Sequence, residues 1–122
     1  MQIGIYVGNK TNLDNLADVI RLMKSDNEDI FMFTDDILVR PLPIGELACI
    51  NVCHIIHYYK KIVFLDHQDF NTKSKELNGI IGVVCNKEDL PKLDKNLVKA
   101  KKASVIIKDK KGLREAKNAE LH

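Results

Sequence analysis

Lys61–Ile62–Val63–Phe64–Leu65–Asp66 is a short apolar run that ends in a carboxylate. Its core is apolar at consecutive positions, not alternate ones, which suits a strand buried on both faces, as in a parallel sheet. In open α/β sheets, ligands and chemistry collect just beyond the carboxyl ends of the strands. The run therefore predicts a buried strand, with Asp66 standing where such a fold concentrates function.

Four further runs share this character: Gln2–Val7, Asp29–Phe33, Ile80–Cys85 and Ser104–Ile107. All are short and rich in Ile, Val and Phe. The intervening segments read as helices. Thr11–Asn12–Leu13–Asp14 resembles a capping box, and Leu13, Leu16, Ala17, Ile20 and Met23 follow at helical spacing. Pro43 suits the first turn of a second helix reaching to about Tyr59. Residues 70–78 predict a third helix stopped by Gly79. A fourth falls within 87–101, its start delayed by Pro91, and a short last helix is expected over 113–121. Five β-α units in one 122-residue chain predict a single domain over 1–122. The expected architecture is a three-layer α/β/α fold with a five-stranded parallel sheet in order 2-1-3-4-5, flavodoxin-like. That order makes Asp66 and the Gly8–Asn12 loop neighbours at the switch point.

The charge is uneven. Residues 1–91 carry 9 Lys/Arg and 13 Asp/Glu, whereas residues 92–122 carry 10 Lys/Arg and 4 Asp/Glu. The basic C-terminal quarter suits an acidic partner surface. No aromatic residues are interleaved with these lysines, so nucleic acid is not the expected partner. Three cysteines without paired spacing argue against a disulfide framework. No apolar stretch approaches the ~20 residues of a membrane span, and the first residues do not form a signal peptide. A cytoplasmic protein with no membrane contact is expected.

The chain resembles a receiver domain of the response-regulator family. The stretch Ile3–Leu13 is similar to the receiver's first strand and loop, and Asp66 closes the third strand, where receivers carry the phosphoacceptor aspartate. Cys85 ends the fourth strand, where Ser or Thr is usual. Lys108 ends the fifth, where receivers carry the lysine that contacts the phosphoryl group. The departures define the type. Val7 and Gly8 stand where receivers place the acid pair that holds Mg²⁺, and Asp109 stands where a Pro commonly follows the lysine. Phosphoryl transfer to a carboxylate needs a divalent ion to neutralise accumulating charge, and Asp66 alone is a poor Mg²⁺ site. The resemblance therefore implies a degenerate, or pseudo-, receiver that signals by protein contact without phosphorylation and needs no cofactor. Asp35 and Asp36 end the second strand and offer a weaker metal-binding alternative.

Gly8–Asn9–Lys10–Thr11 leads from a strand into a helix, an arrangement suited to an anion at free N–H groups. With Asp66, His67 and Lys108 it forms the candidate site for a small phosphorylated ligand. The alternative reading is thus a small Rossmann-like ligand- or nucleotide(-sugar)-binding domain or enzyme, glycosyltransferase-like. Cys49, Cys53 and His57 recur every four residues but lack a fourth zinc ligand. On the expected second helix, Leu47, Ile50, His54 and Tyr58 lie away from the sheet-facing side and predict a partner or homodimer interface.

Overall fold

Among the described residues, seven strands form one sheet: β1 (Gln2–Tyr6), β2 (Asp29–Phe33), β3 (Asn51–Cys53), β4 (Lys61–Phe64), β5 (Ile80–Asn86), β6 (Ser104–Asp109) and β7 (Gly112–Glu115). Their order is β3-β2-β1-β4-β5-β6-β7. All neighbours are parallel except β6 and β7. The computed structural model describes residues 2–25, 29–34, 37–41, 51–53 and 59–121, with only the backbone at 51–53.

Helices lie on both faces, as right-handed crossovers leading away from β1 in two directions require. On one face α1 (Leu16–Lys24) buries Leu16, Val19, Ile20 and Met23 against Ile3, Ile5, Val7 and Val63. On the other, α2 (His67–Lys73) and α3 (Lys95–Lys101) cover an aromatic layer of Tyr6, Phe33, Tyr59, Phe64 and Phe70. The rings meet edge-on or tilted, with centroids 5.2–6.0 Å apart, the spacing that ring quadrupoles favour. Gly4 of β1 brings no side chain to this layer, and the rings fill its place. A Cβ there would lie 2.6 Å from Tyr59 Cδ2 and 2.9 Å from Phe33 Cδ1.

Three expectations need correction. The sheet is neither five-stranded nor wholly parallel, because a strand is added at each edge. At the β2 edge, Asn51–Cys53 pair with Phe31–Phe33, so the helix expected from Pro43 to Tyr59 does not run through these residues. A short apolar run fits either period, and here the pairing groups of the β2 edge select the strand. At the other edge, the expected last helix over 113–121 is replaced by β7 and a 3₁₀ turn at Asn118–Leu121. Asp109–Lys110–Lys111–Gly112 makes a two-residue hairpin loop: Asp109 Oδ1 accepts from the Lys111 amide at 2.9 Å, and Gly112 takes φ +112°. Such Asx geometry followed by a left-handed glycine is hairpin chemistry.

α2 and α3 begin where side chains provide caps, and α1 does not. Asp94 accepts from the Leu97 amide at 3.0 Å, so α3 starts beyond Pro91 after a 3₁₀ segment at Lys87–Lys92. The Thr11–Asp14 capping box does not form. α1 starts at Leu16 behind Asn15, whose side chain makes no cap and instead donates to Asn86 Oδ1 at 3.0 Å.

Arg114 fastens the C-terminal turn to β7. It donates to Asp109 Oδ2 at 2.7 Å and to both Glu120 oxygens at 2.8 and 2.9 Å. The Arg114 hydrogen bond, aided by the Lys117 amide, pulls Glu120 down from an ordinary 4.5 to about 2. A depressed carboxyl contributes stability above its unfolded pKa and loses it as pH falls through the folded value. Docking of Asn118–Leu121 is therefore expected to persist at pH 5 and to weaken from about pH 4.5 down to about 2. The Lys117 amide, which donates to Glu120 Oε1 at 3.1 Å, reports it by NMR. Its shift should titrate with a midpoint near 2, whereas a midpoint at the ordinary 4.5 would show that the contact is not formed in solution.

Candidate functional site

Asp66 stands where β4 ends and α2 begins, in extended conformation (φ −154°, ψ 168°). A residue with these dihedrals ahead of a helix turns its side chain onto the free amides of the first turn. Its Oδ1 accepts from the Asp69 amide at 2.8 Å and its Oδ2 from the Asn12 amide at 2.7 Å. One carboxylate thus caps α2 and holds the loop after β1. Thr11, only 2% exposed, completes the contact. Its hydroxyl donates to Asp69 Oδ2 at 2.5 Å and accepts from the Gly8 amide at 2.7 Å.

The segment after β2 closes the loop from the other side. Asn9 donates to the Ile37 carbonyl at 3.0 Å and accepts from the Val39 amide at 2.8 Å. Arg40 donates to the carbonyls of Gly8 and Thr11 at 3.1 and 2.5 Å. Gly8, Asn9, Thr11 and Asp66 do come together, as the sequence suggests, and the contacts between them have a specific chemical result. The amides of Gly8, Thr11 and Asn12 already have protein acceptors. Asp66 itself occupies the place of an anion at Asn12. No described residue accepts from the Asn9 and Lys10 amides. These two residues border a shallow cleft of about 470 Å³ over Tyr6, with Asp69 and Lys73 on its far side. Lys73 Nζ lies 6.0 Å from the Tyr6 ring centroid.

His67 is the first residue of α2, and its Nδ1 is buried without a hydrogen-bond partner. Lys108 belongs to a different place. Its ammonium pairs with Asp18 Oδ2 of α1 at 2.5 Å, and this hydrogen bond holds the Asp18 carboxyl below its usual range. Lys108 and Asp18 line a broad open groove of about 920 Å³ with Asn15, Asn86 and Arg114, on the α1 side of the sheet. Lys108 and the Gly8–Thr11 loop line separate clefts. Cys85 of β5 is buried at 1% exposure. Burial pushes its thiol up to about 11, so little thiolate forms near neutrality.

Asp35 and Asp36, Cys49 and His57, and the interface residues Leu47, Ile50, His54 and Tyr58 lie outside the described residues. Cys53 is described by backbone alone, in β3. Among the described residues no group of three or more His, Cys, Asp or Glu could hold a metal ion, and no helix is long and apolar enough to cross a membrane. Asp69 and Arg40 are site residues that the pattern reading passed over. Asp69 had a signal, because Asp66-x-x-Asp69 has the spacing of a capped helix start. Arg40 had none, since its two acceptors lie 29 and 32 residues away.

No family model matches the chain, and neither a curated protein nor a solved structure is significantly similar to it.

Proposed function

We propose that this chain is a pseudo-receiver-like regulatory module, flavodoxin-like in its central strands, that acts by protein contact and not by accepting a phosphoryl group. The observation that carries this reading is the engagement of both Asp66 oxygens, one by the amide of Asp69 and one by that of Asn12. A phosphoacceptor carboxylate needs an oxygen open to in-line attack and a divalent ion beside it. Asp66 is instead a structural acceptor, and Val7 and Gly8 bring no carboxylate to it. Lys108 is paired with α1, so its ammonium does not serve as a phosphoryl contact. Incubation with acetyl phosphate and Mg²⁺ is expected to leave the intact mass unchanged. A phosphoryl adduct mapping to Asp66 would make the chain an active receiver and end this reading.

A second reading, a small anionic ligand in the cleft over Tyr6, is favoured by the Asn9 and Lys10 amides that face no described acceptor. Two successive amides beside a lysine are an anion-binding arrangement. Titration with inorganic phosphate would then move the Asn9 and Lys10 amide resonances saturably. Invariant resonances at millimolar phosphate would leave the contact module alone.

A further inference from the structure

The two faces of the sheet are covered unequally. Opposite α2 and α3, the face is sealed by aromatic rings. On the α1 side, α1 is the one helix among the described residues, and Val63 of β4 and Val84 of β5 share a core cluster with it. The amino halves of β4, β5 and β6 lie open as a groove of about 290 Å³, floored by Val63, Gly82 and Ile106 and walled by Leu22 of α1. Leu22 is 49% exposed and Ile80, at the mouth, is 54% exposed. The hairpin explains the opening: β6 turns back into β7 at the sheet edge instead of leading to a helix on this face.

We infer that this groove is a docking site for an amphipathic helix of a partner protein that carries a carboxylate at its rim. The floor belongs to inner strands whose backbone groups are paired on both sides, so an added strand has no edge to join there. A trough between a helix and a sheet face suits a further helix laid beside the first. Gly82 deepens the trough: it has no side chain, and a Cβ there would make only ordinary contacts, with the Lys61 stem and the Ser104 carbonyl oxygen at 3.8 Å and Val63 at 3.9 Å. Among the described residues, Lys61 is the one charged residue lining the groove and no acid lines it. Its stem lies along the apolar floor, and no described residue forms an ion pair with its ammonium. A second copy using the same face would set its own Lys61 against this one, because a two-fold interface presents identical patches. The occupant that complements the groove is therefore apolar on one side and acidic beside it.

The proposal rests on the contact-module reading, but the two fail separately. An acetyl phosphate adduct at Asp66 would remove the contact reading without touching the groove, and the groove is tested by peptides. The probes are fluorescein-labelled, stapled helical peptides with Leu at i, i+3, i+4 and i+7. In one set Glu is moved through the rim positions, and in its twin set each Glu is replaced by Lys. Anisotropy should show saturable binding of at least one Glu peptide and binding of its Lys twin weaker by about tenfold, or about 1.4 kcal/mol. Lys61→Glu should invert that preference. Gly82→Val, whose side chain fills the trough from a strand position that Val suits, should abolish binding while leaving the thermal midpoint unchanged or raised. Leu22→Lys, on the exposed wall, gives a second block that leaves the strand backbone untouched. Failure of every Glu peptide to bind overturns the proposal. So does binding indifferent to charge or to both groove variants, and so does a concentration-dependent dimer that Gly82→Val dissolves, since the occupant would then be a second copy.

Discussion

Asp66→Ala is expected to lower stability by about 2.5–4 kcal/mol, combining loss of a helix N-cap at about 1 kcal/mol with loss of a hydrogen bond to a charged acceptor at about 1.5–3 kcal/mol. Two elements lose their tie at once, because Oδ1 caps α2 through Asp69 and Oδ2 holds the β1–α1 loop through Asn12. Asp66→Asn separates the two contributions. Its single carbonyl oxygen can serve one amide, and the NH₂ group then faces the other donor. Chemical denaturation should therefore rank the variants wild type, Asn, Ala in falling midpoint with little change in slope. Amide exchange should rise first at Asn12 and Asp69. If Asp66→Ala unfolds with the wild-type midpoint, Asp66 is free for chemistry and the structural role assigned to it is wrong.

Gly4→Ala should destabilise by about 1–3 kcal/mol, the usual cost of overpacking a filled core, and Gly4→Val by more. The new Cβ would lie within 3 Å of Tyr59 Cδ2, Tyr59 Cγ and Phe33 Cδ1. Tyr59 is 7% exposed and Phe33 is wholly buried, so neither ring has open space to move into. The cause is steric, which predicts a rescue. In the Tyr59→Val background the nearer of the two blocking rings is gone and Phe33, which packs on it, gains space to shift, so Gly4→Ala should cost far less than in the wild type. A double-mutant cycle by thermal unfolding measures this coupling directly. Additive costs would show that Gly4 is required for its backbone and not for the space it leaves.

Much of the fold was legible because apolar patterning is a local signal. All five expected strands form, near their expected bounds. The helix starts were less legible. Asp66 was read as a strand-end residue facing a ligand, yet its extended dihedrals and the spacing to Asp69 make it a cap. Its second bond, to Asn12, spans 54 residues and has no local signature. Lys108 shows the same limit. Its place at the end of a strand was read correctly, but whether its ammonium turns to Asp66 or to α1 depends on which face of β6 it occupies, and Asp18 lies on that face. The two edge strands were missed for related reasons. The apolar run around Val52 fits both periods, and the Asp109–Gly112 hairpin rests on a two-residue turn whose signal is its Asp and Gly and not an apolar pattern.

By itself, the sequence determined the alternation of buried strands and amphipathic helices, and hence an α/β fold with Asp66 and Gly8–Asn12 side by side. Those features follow from periodicity and chain reversal, which act within a few residues. Only the tertiary structure decided what these neighbours do. Their amides and carboxylates satisfy one another and hold two loops together, since a polar group leaving water takes the partner within reach. It also decided which part of the sheet stays uncovered, because that depends on where the chain turns back after β6 and not on the pattern of any one strand.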